Sequence, residues 1–190
     1  MGKKHNYVGN TTQNQNRDCL QEYISNLRKH YLPQKNVHIL PSVVFAHINY
    51  NIARALEVVE TKYVYVIQHD LEFAKPINHT ALVKTFDEFY PKDIWKVEFT
   101  HTCAPNDDAW AKGSCLNMST PISHVNEIYL TKQTGWSDSN HLTTKEYYSD
   151  VLKQIGPQKR SPEKPMNRQA ARNCKFLGTH KYGKVDEMPP

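Results

Sequence analysis

The segment Lys62-Tyr63-Val64-Tyr65-Val66-Ile67-Gln68-His69-Asp70-Leu71-Glu72-Phe73 constrains this chain more than any other. Five consecutive apolar or β-branched residues, directly after a helical pattern, read as a buried strand of a parallel sheet. The run then turns abruptly polar. Ahead of it, Ile52, Leu56 and Val59 lie on one face of a helix that starts near the Asn49-Tyr50-Asn51 cap chemistry and runs to about Glu60. Behind it, Leu82, Val83, Phe86 and Phe89 give a second helix over about Thr80–Tyr90, and Ile94–Phe99 alternates as another strand.

The same periodicity arguments extend to both ends. Leu20, Tyr23, Ile24 and Leu27 predict a helix over about Arg17–Tyr31, stopped by Leu32-Pro33. Val37–Leu40 reads as a short strand. Residues 101–122 read as a long loop, Val125–Thr131 as a strand, Thr143–Ile155 as a helix and Cys174–Gly178 as a last strand. Residues 1–16, rich in Asn and Gln, predict a loose start; residues 156–172, opening on a proline-rich stretch, predict a loop or arm. The alternation of helix and strand predicts an α/β fold with a mostly parallel central sheet flanked by helices. In such folds ligands sit beyond the carboxyl ends of the strands, which places Gln68–Glu72 at the mouth of a site.

A length of 190 residues fits one domain, taken as 1–190. No run of about 18 apolar residues is present, so no membrane span is expected, and the N-terminus lacks a signal-peptide core. The net charge of +5 suits an anionic ligand without forming a polybasic tail. The four cysteines form no C-x-x-C pair, which argues against structural zinc and for reduced thiols in a cytoplasmic protein.

Three constellations carry possible chemistry. Asp70-x-Glu72, just past the apolar strand, offers two hard oxygen ligands for Mg²⁺ or Mn²⁺; the bland alternative is a turn residue and a surface charge. Gly135-Trp136-Ser137-Asp138-Ser139-Asn140-His141 reads as a turn displaying an aromatic ring and a carboxylate. Rings stack on sugars, and a placed Asp takes a proton from a hydroxyl. The alternative is an Asx-turn or cap at Asp138 and a core Trp136. His180, in Gly178-Thr179-His180-Lys181-Tyr182-Gly183, has glycines on both sides that suit close approach of a ligand. Asp107-Asp108 and Trp110 in the middle loop read as solvated; the alternative is an acidic pair that binds hydroxyls or replaces Asp138 as base.

The stretch NIARALEVVETKYVYVIQHDLEF, followed by INHTALVKTF and later by GWSDSNHL and GTHKYG, resembles GT-A glycosyltransferases, and is similar to the small ones encoded by large algal viruses such as the chlorella viruses. The resemblance covers roughly residues 35–185. It implies a GT-A fold, a nucleotide-sugar donor (UDP- or GDP-sugar), a glycan acceptor and Mn²⁺ or Mg²⁺ on the donor diphosphate. Asp70 and Glu72 fall on the D-x-D positions, with Glu in the second place. The resemblance also implies His180 as a further metal ligand. Asn51, Arg54, His69, Lys181 and Tyr182 would touch the donor, Asp138 would be the general base, and Trp136 and His141 would face the acceptor. A viral member of the family would act in the host cytoplasm. The family's opening apolar strand has only Tyr7-Val8 to represent it here. Two rivals remain: a metal-dependent nuclease, for which Glu60-Thr61-Lys62 offers an E-x-K, and a non-catalytic α/β binding module. Nothing in the sequence marks a nucleic-acid partner or an oligomeric state.

Overall fold

A computed structural model describes residues 11–42, 48–68, 71–73, 76–99, 121–133, 135–156, 161–173 and 178–182. Contacts divide the chain into two units, Met1–Phe45 and Ala46–Pro190. The first unit carries helix α1, Thr11–Tyr31. It starts six residues before the expected Arg17, because Thr11–Asn16 contain neither Gly nor Pro to stop the helix from extending. Arg28, Lys29 and His30 fill its last turn, where positive charge complements the helix dipole. The strand expected at Val37–Leu40 is not formed. Instead the Val37 N–H turns back to the Gln34 carbonyl at 3.2 Å.

In the second unit the elements are α2 (Ile48–Val58), β1 (Tyr63–Val66), α3 (His79–Phe89), β2 (Lys96–Glu98), β3 (Pro121–Val125), β4 (Ile128–Lys132), β5 (His141–Thr144), α4 (Lys145–Ile155), α5 (Glu163–Asn173) and β6 (Thr179–Tyr182). Helix α3 begins on the Asn78 cap, whose side chain accepts from the Ala81 N–H at 3.1 Å. Thr144 caps α4 in the same way, accepting from the Tyr147 N–H at 3.1 Å.

Three expectations are corrected. The strand expected over 125–131 is a hairpin, turning at Asn126 and Glu127 with φ of 48° and 69°. Two left-handed residues make the turn that matches strand twist, but Asn-Glu lacks the glycine that usually signals it. The loop expected over 156–172 contains α5. Its prolines misdirect the reading, because Pro162 and Pro165 fall just before and within the first turn, where a missing N–H is harmless. Strand β5, absent from the expected order, lies just before α4.

The sheet order is β1-β5-β2-β6-β4-β3. The α/β class holds, but the sheet is mixed and not mostly parallel: among the described residues only β2–β6 is a parallel pair, and the other four pairings are antiparallel. The cause is β5, which inserts antiparallel between β1 and β2. Those two strands still run the same way, so their carboxyl ends share one edge of the sheet. The approach of β5 arrives at that edge, since His141 pairs with both Val66 and Glu98.

Each face of the sheet carries a core. Leu82 and Phe86 of α3 pack with Val97, Leu130 and Leu142 on one face. Ile52 and Leu56 of α2, Tyr147, Tyr148 and Val151 of α4, and Met166 of α5 pack with Trp136 in the other. Gly178 lets β6 approach β2. Its φ is +64°, and a Cβ there would lie 2.6 Å from the Trp95 ring. Gly178→Ala is therefore expected to cost about 2 kcal/mol, from left-handed strain plus overpacking. Urea unfolding that shows under about 0.5 kcal/mol would mean that the Trp95 ring moves aside freely.

Candidate functional site

Residues 67–68 leave β1 at the shared carboxyl edge, and turn 136–140 enters β5 at the same edge. Side chains join the two. The Gln68 N–H donates to Asn140 Oδ1 at 2.7 Å, and Asn140 Nδ2 donates to the Leu71 carbonyl at 2.6 Å. Gln68 Nε2 donates to the Asp138 carbonyl at 2.5 Å. The Asn140 carbonyl in turn accepts from the Phe99 N–H at 2.9 Å, which ties in the exit of β2.

The turn itself is not regular structure, yet each carbonyl from Trp136 to Asn140 accepts a hydrogen bond. Four of the five donors are side chains: Asn167, Lys96, Gln68 and His141. Asn167 of α5 serves Trp136 twice, accepting from its N–H at 2.6 Å and donating to its carbonyl at 2.9 Å. Glu98 Oε1 accepts from the Ser137 N–H at 2.9 Å, and Lys96 Nζ donates to the Ser137 carbonyl. A segment satisfied in this way is held in one geometry.

Asp138 sits at the crown of this turn, half-buried. Its Oδ2 accepts from Ser161 Oγ at 2.8 Å, and Ser161 Oγ also accepts from the Glu163 N–H at 3.2 Å, at the start of α5. The carboxylate is thus oriented by a hydroxyl fixed to a helix end. Glu163 lies close enough to feel it: burial, then Asp138 and Glu98, push the Glu163 carboxyl up from its usual range.

Trp136 and His141 stand differently from the acceptor-facing role expected of them. Trp136 is 1 % exposed, with Lys96 Nζ 3.9 Å from its ring centre. His141 is fully buried and stacks on Tyr148 at 5.5 Å. Its Nδ1 lies 2.5 Å from the Ser139 carbonyl, so Nδ1 carries the proton. Burial, then the Lys96 charge, push its pKa well below the usual range. Both rings are core, because α2, α4 and α5 cover this face of the sheet.

His180 is also fully buried, at mid-strand in β6 opposite Val97 and so on the face that α3 covers. Burial lowers its pKa to about 4. Tyr182 lies on that face too, its ring 6.0 Å from Phe99 and its hydroxyl accepting from the Asn78 N–H at 3.1 Å. Lys181 pairs with Glu98 in the β2–β6 register. Asn51 is exposed on α2, and Arg54 lies one turn on, its guanidinium 6.0 Å from the Tyr50 ring. Glu72 is exposed in the loop after β1. His69, Asp70, Asp107, Asp108 and Trp110 lie outside the described residues. Among the described residues, no three His, Cys, Asp or Glu side chains converge as a metal site, and no helix is long and apolar enough to cross a membrane.

Lys96, Glu98, Asn140, Ser161 and Asn167 are the residues that sequence reading passed over. Trp95-Lys96-Val97-Glu98-Phe99 shows the alternation of a half-exposed strand, with the charges toward water. The informative signal is that this alternation lies in a central strand, where both faces are covered.

Compared with known proteins, the chain matches no family model, no curated protein and no solved structure.

Proposed function

We propose that the chain is a metal-dependent glycosyltransferase that moves a sugar from a UDP- or GDP-sugar to a hydroxyl of a glycan acceptor. One observation carries the reading. The two motifs expected to hold donor and base, QHDLEF and GWSDSNHL, are bonded to one another through Gln68 and Asn140 at the carboxyl edge of the sheet. Ligands of α/β sheets bind at such an edge. The mixed sheet is compatible with this, because β1 and β2 keep their common direction.

In this reading Asp138 removes the acceptor proton as the hydroxyl attacks the anomeric carbon with inversion. The fixed turn and Ser161 orient its carboxylate for that step. Asp70 and Glu72 would hold Mn²⁺ or Mg²⁺; carboxylate oxygens at a loop suit such a cation. His180 does not join that set, because it is buried at mid-strand under α3. The cation would neutralise charge on the departing diphosphate.

Calorimetric titration of UDP-glucose and GDP-mannose, with Mn²⁺ and then with EDTA, tests the reading. Binding of one nucleotide-sugar is expected to need metal and to weaken at least about tenfold in Asp70→Ala and several-fold in Glu72→Ala. No binding to the folded protein under any of these conditions would sink the reading.

A further inference from the structure

We propose that Lys96 and Glu98 form a buried ionic clamp that positions Asp138, by holding both backbone groups of the residue beside it. This deepens the reading of Asp138 as proton acceptor and rests on it.

The two side chains stand two apart on β2 and so share the face that α2, α4 and α5 cover. Lys96 is fully buried and Glu98 is 9 % exposed. They pair with each other at 2.6 Å. Each then reaches one backbone group of Ser137: Lys96 donates to its carbonyl, and Glu98 accepts from its N–H at 2.9 Å. The backbone of β2 is already engaged by β5 and β6, so these side chains act as an added rung from the sheet to the turn.

A stable core does not require this arrangement. A buried ion pair loses hydration that its attraction barely restores, and an apolar pair of the same volume usually serves stability as well or better. What an apolar pair cannot do is donate to one backbone group of an irregular turn and accept from the other. The surroundings reinforce the same end. The Trp136 ring covers the ammonium at 3.9 Å and excludes water, and Asn167 grips both backbone groups of Trp136. Residues 136 and 137 are thereby fixed from two elements, β2 and α5, immediately before Asp138. Ser161, also at α5, fixes the carboxylate itself. Burial lowers the Lys96 pKa, opposed first by Glu98 and then by the more distant charges of Asp138 and Glu163. Lys96 and Glu98 are positioning residues: they touch the turn, not a substrate.

Lys96→Met, Glu98→Leu and Glu98→Gln separate the clamp from bulk stability. Gln keeps an acceptor for both Ser137 and Lys96; Leu and Met break the rung. Amide hydrogen exchange is read over residues 136–140 and, as a reference, over α3. Exchange in the turn is expected to rise at least about tenfold in Glu98→Leu and Lys96→Met, and to stay within about threefold in Glu98→Gln, with α3 unchanged. With UDP-glucose or GDP-mannose, whichever the wild type uses, kcat is expected to fall about 100-fold in the first two variants. KM should move less than about threefold, and Glu98→Gln should retain most of the rate. Should Lys96→Met fail to fold, the Leu and Gln pair at position 98 decides alone. The clamp is overturned if exchange in the turn does not change, if it rises equally in α3, or if Gln behaves like Leu. A wild type that binds and turns over no nucleotide-sugar removes the transferase reading instead, and hydrogen exchange in the turn then decides the clamp by itself.

Discussion

Trp136→Ala is expected to destabilise the protein by about 4 kcal/mol, among the largest losses open to a single substitution here. Among the described residues Trp136 is the largest fully buried side chain, 1 % exposed. Its ring lies edge-on to His141 at 6.0 Å and to Tyr148 at 6.3 Å, and it covers the Lys96 ammonium at 3.9 Å. Truncation leaves a cavity on the face that carries α2, α4 and α5, and it strips a desolvated cation of its cover. Large aromatic truncations cost about 3–5 kcal/mol, the loss of such ring contacts included. In a chain of this size such a loss lowers Tm by about 10 °C. Trp136→Phe keeps a ring over Lys96 and is expected to lose about half as much. Urea unfolding of both variants measures this. A loss below about 1.5 kcal/mol in Trp136→Ala would show that the ring is not core, and would return it to the role of an exposed sugar platform.

The difference between those roles marks where sequence reading stops. A strand at Tyr63–Val66, its polar exit and the helices on either side were legible, because hydrophobic period and cap chemistry are local signals, but the strand is half-buried and pairs antiparallel at the end of the sheet order, not buried in a parallel sheet. The pairing of strands was not. Nothing within His141–Thr144 indicates that it slots between β1 and β2, since that depends on contacts with residues more than 40 positions away. The sequence also placed GWSDSNHL at a turn, correctly, but a turn in sequence is not a turn on the surface. The open reading of Trp136 as a core residue is the one that agrees with its burial, because α5 closes over it, and α5 was hidden by prolines that mark a helix start as readily as a loop. His180 illustrates the same limit. Its flanking glycines suggested ligand access, yet Gly178 serves close packing against Trp95. At the site, Asp138 was legible as a candidate carboxylate. The residues that orient it, Lys96, Glu98, Asn167 and Ser161, come from two distant elements and carry no common motif.

Acid is expected to unfold the protein earlier than carboxylate titration alone would, because two buried histidines are neutral in the native state. Burial brings His180 to about 4, and it carries His141 well below the usual range. In the unfolded chain both return to about 6.5. The native pKa is depressed, so the unfolded state binds more protons between the two values. Each histidine's contribution is fully present above about pH 6.5 and is lost as pH falls toward the native pKa. For His180 the whole loss amounts to about 3 kcal/mol, of which about half is gone by pH 5. His141 adds in the same direction. Glu163 opposes them: its native pKa is raised, so its burial penalty is relieved as it protonates on the way down. Glu163 is exposed, so solvent screens that relief and the histidines prevail between pH 6.5 and 5. Urea midpoints at pH 7.5, 6.5, 5.5 and 5.0 read the slope directly. His180→Gln, whatever it does to stability at pH 7.5, is expected to flatten the loss between pH 6.5 and 5 by about 1–2 kcal/mol, because glutamine cannot take up the proton that histidine takes on unfolding. A variant whose stability falls with pH as steeply as the wild type would show that His180 is already protonated in the fold, and that water reaches β6 beneath α3.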